Sequence, residues 1–308
     1  MKLLKQIIYV LIIIITPYSA AAYDLPYVNL GLANILDGGP LRANPGLYFQ
    51  EYFPYYYSRT FLDAQGKLLG GIPSPQLNNL ASVTQLIYIF NQRLLGARPG
   101  IDVSLPAAIV TDISTNKLGI TSNGSGLGDV ALGFFLQWNT IFKGTRPIYV
   151  QRIEFNISLP SGKYSTIPEI INPGNGFFFI SPYWAATLYF TPKLGFSWRL
   201  NYLWCAENKK TKRKAGTATY LNYAFEYRLQ PRLFIALNGY WLEQLTPTQQ
   251  NGHKVPDSYE RVAALGPGIL YSFDATLETV VFANFFAEFN VRNRTQGIKT
   301  VFRFLKHF

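Results

Sequence analysis

A single cysteine, Cys205, among 308 residues excludes an intrachain disulfide. Two histidines and that one thiol give no ligand set for a transition metal, so neither metal nor cofactor is expected. The histidines are also poorly placed for nucleophilic catalysis. His253 falls in a polar connection and His307 is next to last, which leaves Ser122 of "TSNG" without a base, and no catalytic residue is assigned. "GSGLGD" precedes a strand pattern and not a helix, so it is no phosphate-binding loop. Charge is scarce as well: 15% of residues are charged and 16% aromatic, where soluble domains carry roughly 25% charged residues. The net charge is +11, yet no nucleic-acid-binding fold is visible, and nucleic acid is not an expected partner. Beyond residue 22, no apolar run approaches the roughly 20 residues that cross a bilayer as a helix.

The one long apolar stretch lies at the start. Lys2 and Lys5 precede Ile7–Ile15, and Ala20 and Ala22 form an A-x-A site, the layout of a cleaved export signal over residues 1–22. The chain is expected outside the cytoplasm, starting at Tyr23.

What is abundant is alternation. In "KLGFSWRLNYLW" one face carries Phe196, Trp198, Leu200, Tyr202 and Trp204, and the other Ser197, Arg199 and Asn201. Period two is a strand signal. It recurs in "IYVQRIEFNISL", "GDVALGFFLQW" and "YLNYAFEYR", and about twelve such segments follow one another, among them expected strands over 127–139 and 176–190. Short links ("TPK", "LQP", "SFDA") alternate with long ones, among them "AENKKTKRKA" and "FNVRNRTQ". An even strand count with short turns on one side and long loops on the other predicts an all-β fold, a transmembrane antiparallel barrel of the outer-membrane type. Lipid cannot satisfy a free strand edge, so a spanning sheet must close. A soluble β-sandwich accounts for the period but not for the loop asymmetry.

The ending "TVFRFLKHF" fits this reading. Phe302, Phe304 and Phe308 share the lipid face, and a final strand closing on Phe resembles the signal read by the barrel-assembly machinery. Lys299, Val301, Arg303, Leu305 and His307 share the lumen face.

Several stretches together carry a family resemblance. "NPGLYFQEYFPYYYSRTFLDAQG", the Gly-x-Gly-Asp of "GSGLGDVALG" (Gly126, Gly128, Asp129), "SLPSGKY", "ALGPGILY" and the Arg-x-x-Gly of "NRTQGIKTVFRF" (Arg294, Gly297) resemble the family named for the MetA pathway of phenol degradation. The resemblance implies an outer-membrane barrel that transports small, aromatic or otherwise hydrophobic solutes. The basic loop "NKKTKRK" departs from the family pattern.

The domain reading is a signal peptide (1–22), an N-terminal segment that partly plugs the lumen or hangs in the periplasm (23–44), and a barrel (45–308). Arg152, Glu154, Arg199, Glu226, Arg228, Glu278, Glu288 and Arg303 fall on lumen faces, either tuning solute selectivity or pairing to fill a narrow barrel. Lys209, Lys210, Lys212, Arg213 and Lys214 form a cationic surface loop, solvated or holding the phosphates of lipopolysaccharide. Tryptophans and the Tyr55–Tyr57 run suit interface girdles better than a ligand site. Passive passage of a small solute is the expected function. The rival is an adhesive or structural barrel acting through its loops around a packed lumen.

Overall fold

The computed structural model describes residues 24–39, 44–72, 75–114, 117–167 and 169–308, so the expected signal peptide lies outside the described residues. Twelve strands form the wall: β1 (Gly46–Phe61), β2 (Leu77–Ile89), β3 (Arg98–Ile113), β4 (Ala131–Gln137), β5 (Arg146–Ser158), β6 (Tyr183–Tyr189), β7 (Leu194–Cys205), β8 (Ala218–Gln230), β9 (Leu233–Gln244), β10 (Arg261–Ser272), β11 (Thr279–Arg292) and β12 (Thr295–His307). Each pairs antiparallel with the next, and β12 returns to β1 from Tyr48↔His307 to Phe61↔Thr295, closing the sheet. Closure removes the edge that lipid could not satisfy.

Alternation becomes sidedness. Phe134, Phe155, Leu200, Phe225, Leu237 and Phe302 point outward and are exposed, while Gln137, Ser197, Asn222 and Asn238 are buried within. Tight connections such as residues 190–193 and 231–232 gather at one rim, and long ones (62–76, 114–130, 159–182, 206–217, 245–260) at the other.

Three sequence expectations need correction. "FNVRNRTQ" is no long loop, because β11 and β12 continue through it and reverse at Asn293–Arg294. Asn293 adopts φ 50°, a conformation asparagine tolerates, and its side-chain amide donates to the carbonyls of Asp257 and Tyr259. The expected strand over 176–190 is broken between Phe179–Ile180 and β6, where Ser181–Pro182 intervenes. The one over 127–139 is likewise split, Gly126–Leu127 pairing with Ala107–Ala108 before β4 begins.

Much of the interior is packed. One apolar cluster joins Leu25, Leu30, Tyr240, Leu242, Val262, Phe286 and Val301, and another joins Ile35, Ala224, Phe234, Leu270 and Phe282. Each contains residues that precede β1. The wall makes room for them: a Cβ at Gly268 would lie 2.2 Å from Asn238 Nδ2, 2.4 Å from Asn284 Oδ1 and 3.2 Å from Ile35 Cδ1.

Candidate functional site: the lumen

Residues 24–39 run inside the wall from the long-loop rim to the tight-turn rim. At the top, Arg213 donates to the Asp24 carboxylate at 2.6 and 2.8 Å. Glu260 accepts from the backbone N–H groups of Asp24 (2.7 Å) and Leu25 (2.8 Å) and pairs with Arg294 at 2.5 Å. Midway, Gly31 N donates to Asn222 Oδ1 (2.9 Å) and Leu36 N to Glu226 Oε2 (2.9 Å), while the Asn34 amide donates to the Gly239 carbonyl (2.8 Å). Lower down, Arg199 grips Asp37 through two hydrogen bonds of 2.9 and 2.6 Å. Gly38 N donates to Thr187 Oγ1 and Gln137 Nε2 donates back to the Gly38 carbonyl, both at 3.0 Å. An irregular segment leaves its peptide groups unpaired, and buried ones must find partners. The inward Asn, Gln, Thr and Glu of β4, β6 and β8 supply them. At Gly38 a Cβ would lie 2.4 Å from Thr187 N, so only glycine approaches the wall this closely.

Opposite the segment the lumen opens into a cavity of about 330 Å³. Tyr52, Tyr56, Leu77, Ala81, Val83, Ala107, Ala108 and Phe179 line it from the wall, and Tyr27, Val28, Leu30 and Leu32 from the segment. Its floor is polar. Gln85 donates to Asp102 (2.9 Å), Tyr183 donates to Glu154, and the Arg199 guanidinium lies 4.1 Å from the centre of the Tyr183 ring. Asp102 and Glu154 flank Gly133, whose absent Cβ would meet their carboxyl oxygens at 2.1 and 2.9 Å. Beneath lies an apolar layer of Tyr48, Ile87, Ile89 and Phe135, with the Arg152 guanidinium over the Phe135 ring at 4.1 Å.

The roof explains a sequence motif. Asp129 accepts from Gly162 N (2.8 Å), Asn175 N (2.7 Å) and Asn175 Nδ2 (2.9 Å). The Asn175 side-chain oxygen in turn accepts from Tyr27 N at 3.1 Å. One carboxylate therefore ties the 159–182 connection across the cavity mouth and on to the N-terminal segment. The close approach of Gly128, Gly162 and Gly174 around it leaves no space for side chains.

Of the eight charged residues assigned to lumen faces, six gather inside. Arg152 and Glu154 form a 3.8 Å pair, Arg199 holds Asp37, and Glu226 accepts from Leu36 N and Ser197. Glu288 accepts from the Tyr56 and Tyr240 hydroxyls and from Gly297 N. Arg303 lies over the Phe282 and Tyr52 rings at 3.9 and 5.6 Å and is in no ion pair among the described residues. The other two are placed differently. Glu278 sits in the turn before β11, its side chain 42% exposed and 3.7 Å from His307, and half-buried Arg228 stands near the tight-turn rim with Tyr189.

The cationic loop also needs correction as a single surface patch. Lys209, Lys210 and Lys212 are exposed, Lys212 beside Glu207 at 3.8 Å. Arg213 turns inward to Asp24, and Lys214 lies over the Trp204 ring at 5.3 Å. Trp184 and Trp198 meet edge to face on the outer wall, 5.3 Å apart. Phe302 and Phe308 are exposed at 57% and 70%, Phe304 packs beside Phe49 at 6.4 Å, and Phe308 N donates to the Leu47 carbonyl.

Among the lumen residues left out of the sequence list are Asp37, Asp102, Asp129, Gln137, Glu260, Arg294 and Lys299. Alternation already places Lys299 inside, on the face shared with Arg303. Asp37 has no such signal, since its stretch has no strand period.

The barrel resembles solved outer-membrane proteins. The COG4313 outer membrane channel from Pseudomonas putida F1 superposes with a TM-score of 0.74 at 15% identity, over 88% of this chain and 99% of that one. The translocator domain of the autotransporter NalP from Neisseria meningitidis gives 0.50 at 7% identity, over 89% and 91%. The CymD monoaromatic hydrocarbon channel gives 0.47 at 10% identity, over 86% and 89%. No curated protein matches the sequence. A family model, that of the MetA-pathway of phenol degradation, matches residues 59–304. With its closed twelve-stranded wall and that match over most of its length, the chain is a β-barrel of the outer-membrane type and belongs to the MetA-pathway-of-phenol-degradation family.

Proposed function

We propose that the barrel passes small hydrophobic solutes across the outer membrane without energy input. The observation that carries this is the mainly apolar cavity of about 330 Å³ beneath the long-loop rim, within the size of small-molecule sites. A solute enters under the 159–182 connection and rests against the tyrosines and aliphatic side chains of β1–β3. It moves on when the lower part of the segment, held by Asp37–Arg199, yields. Small aromatic compounds are the substrates suggested by the family's name and by the tyrosine-rich lining. The floor residues Glu154 and Arg199, with Arg152 in the layer beneath them, set selectivity in this reading. In the same reading the exposed lysines Lys209, Lys210 and Lys212 bind lipopolysaccharide phosphates, and the strand carrying Phe302, Phe304 and Phe308 serves the barrel-assembly machinery. Recording planar-bilayer conductance with and without a small aromatic alcohol tests the main point. Solute-dependent block or flux supports it. Folded protein that gives neither current nor uptake overturns it.

A further inference from the structure

The charges that line the cavity are unevenly satisfied. Its acids are occupied: Asp129 by three N–H donors, Glu154 by Tyr183 and Asn156, and Glu288 by two tyrosines and Gly297 N. Two of its cations, Arg199 and Arg294, are gripped by Asp37 and Glu260. Lys299 differs. It lines the same cavity, and its ammonium donates only to the Leu30 carbonyl, at 3.2 Å. It enters no ion pair among the described residues and lies 4.9 Å from the Tyr240 ring centre and 5.7 Å from that of Tyr56.

An ammonium has three donors, and the opposite charge that acts on this one, Glu288, has its oxygens occupied by the Tyr56 and Tyr240 hydroxyls and Gly297 N, so the half-buried ammonium keeps donors for an anion in the cavity. Leu30 meets it through that carbonyl, and the cavity it faces is lined as well by Leu32, Leu77, Ala81 and Val83, which suit an apolar body rather than a hydrated inorganic anion. We infer that Lys299 is the anchor of an acid-binding subsite, and that the cavity prefers compact hydrophobic monocarboxylates, with the carboxylate on Lys299 and the ring against the aliphatic wall. The inference rests on the cavity's taking solutes, as proposed above, and narrows their chemistry from hydrophobic to hydrophobic and singly anionic.

Calorimetric titration of the folded, detergent-solubilised protein with sodium benzoate and with benzyl alcohol tests it. The two probes share a ring and differ in charge. The wild type is expected to prefer benzoate by about tenfold, the scale of one charge-assisted contact. Lys299→Met should reduce that ratio to near one, and Lys299→Arg should keep it. The wild-type comparison stands by itself should the methionine variant fail to fold. Equal binding of the two probes by the wild type overturns the acid subsite and leaves the cavity reading intact. So does a benzoate preference that survives in Lys299→Met. Binding of neither probe overturns both.

Discussion

Two halves of one lumen are built from different side chains. Against the segment, β6–β11 present Thr187, Asn222, Glu226, Asn238 and Asn284, buried groups that hold the backbone of residues 31–38 or bond among themselves. Facing the cavity, β2–β4 present Ala81, Val83, Ser104, Pro106, Ala107, Ala108 and Ala131. Amide-bearing residues reach across and fasten a chain, and small residues leave the space open. A barrel of twelve strands is too wide for side chains alone to fill, so its interior is completed on one side by its own N-terminal chain and left empty on the other.

Removing residues 24–39 should abolish the difference and produce the largest effect: both halves hollow, and single-channel conductance raised several-fold in planar bilayers. Unchanged conductance would mean that the segment is not what narrows the lumen. Next comes the ion pair low on the segment. Asp37→Asn leaves Arg199 buried without its counter-charge, and breaking such a pair costs about 3–5 kcal/mol. The check is thermal unfolding followed by heat-modifiable gel mobility, and a midpoint equal to wild type would contradict it. A smaller loss is expected from Asp129→Ala, which strands the N–H groups of Gly162 and Asn175 for about 1–3 kcal/mol. Limited proteolysis should then cut the 159–182 connection faster while the wall stays resistant.

The smallest effect concerns the tight-turn rim below the packed half. Burial opposes ionisation of Asp274, but the N–H groups of Glu278, Thr279 and Thr276 and the Thr276 hydroxyl outweigh it and hold the pKa down to about 2. A carboxyl depressed on folding stabilises above its ordinary value near 4 and loses that contribution as pH falls through about 2. Wild-type stability should therefore decline slightly between pH 4 and 2, and Asp274→Asn should remove that part of the slope. Identical slopes would show that the turn does not use the charge.

How far these features could be read beforehand depends on what lipid imposes. Outside, every second residue must be apolar, so Phe196–Trp204 and Ile298–Phe308 declare their faces in the sequence alone. Inside there is no such rule. Arg199 is legible as a lumen residue, but its partner Asp37 lies 162 residues earlier in a stretch without period. Arg213 reads as one basic loop residue among five, because nothing local shows that it turns inward to Asp24. The Gly-x-Gly-Asp motif is visible as a motif, while its task depends on Gly162 and Asn175 arriving from other connections. Polar residues in the "FNVRNRTQ" stretch mimic a long loop, although β-pairing carries through all but Asn293 and Arg294.

The contacts of the segment also set an order of events. Residues 29–38 bond to Thr187, Arg199, Asn222, Glu226 and Gly239, partners at least 149 residues downstream, and the Leu30 carbonyl receives Lys299 from 269 residues away. A stretch made before any strand of the wall is thus the last to find its place, a connectivity of the kind that folds slowly. Because β1 follows the segment and is sealed by β12, threading and sealing converge on the same final step. A chain that zips shut before its leading stretch has entered would be a complete cylinder with an untenanted interior, a kinetic trap set by the order of synthesis.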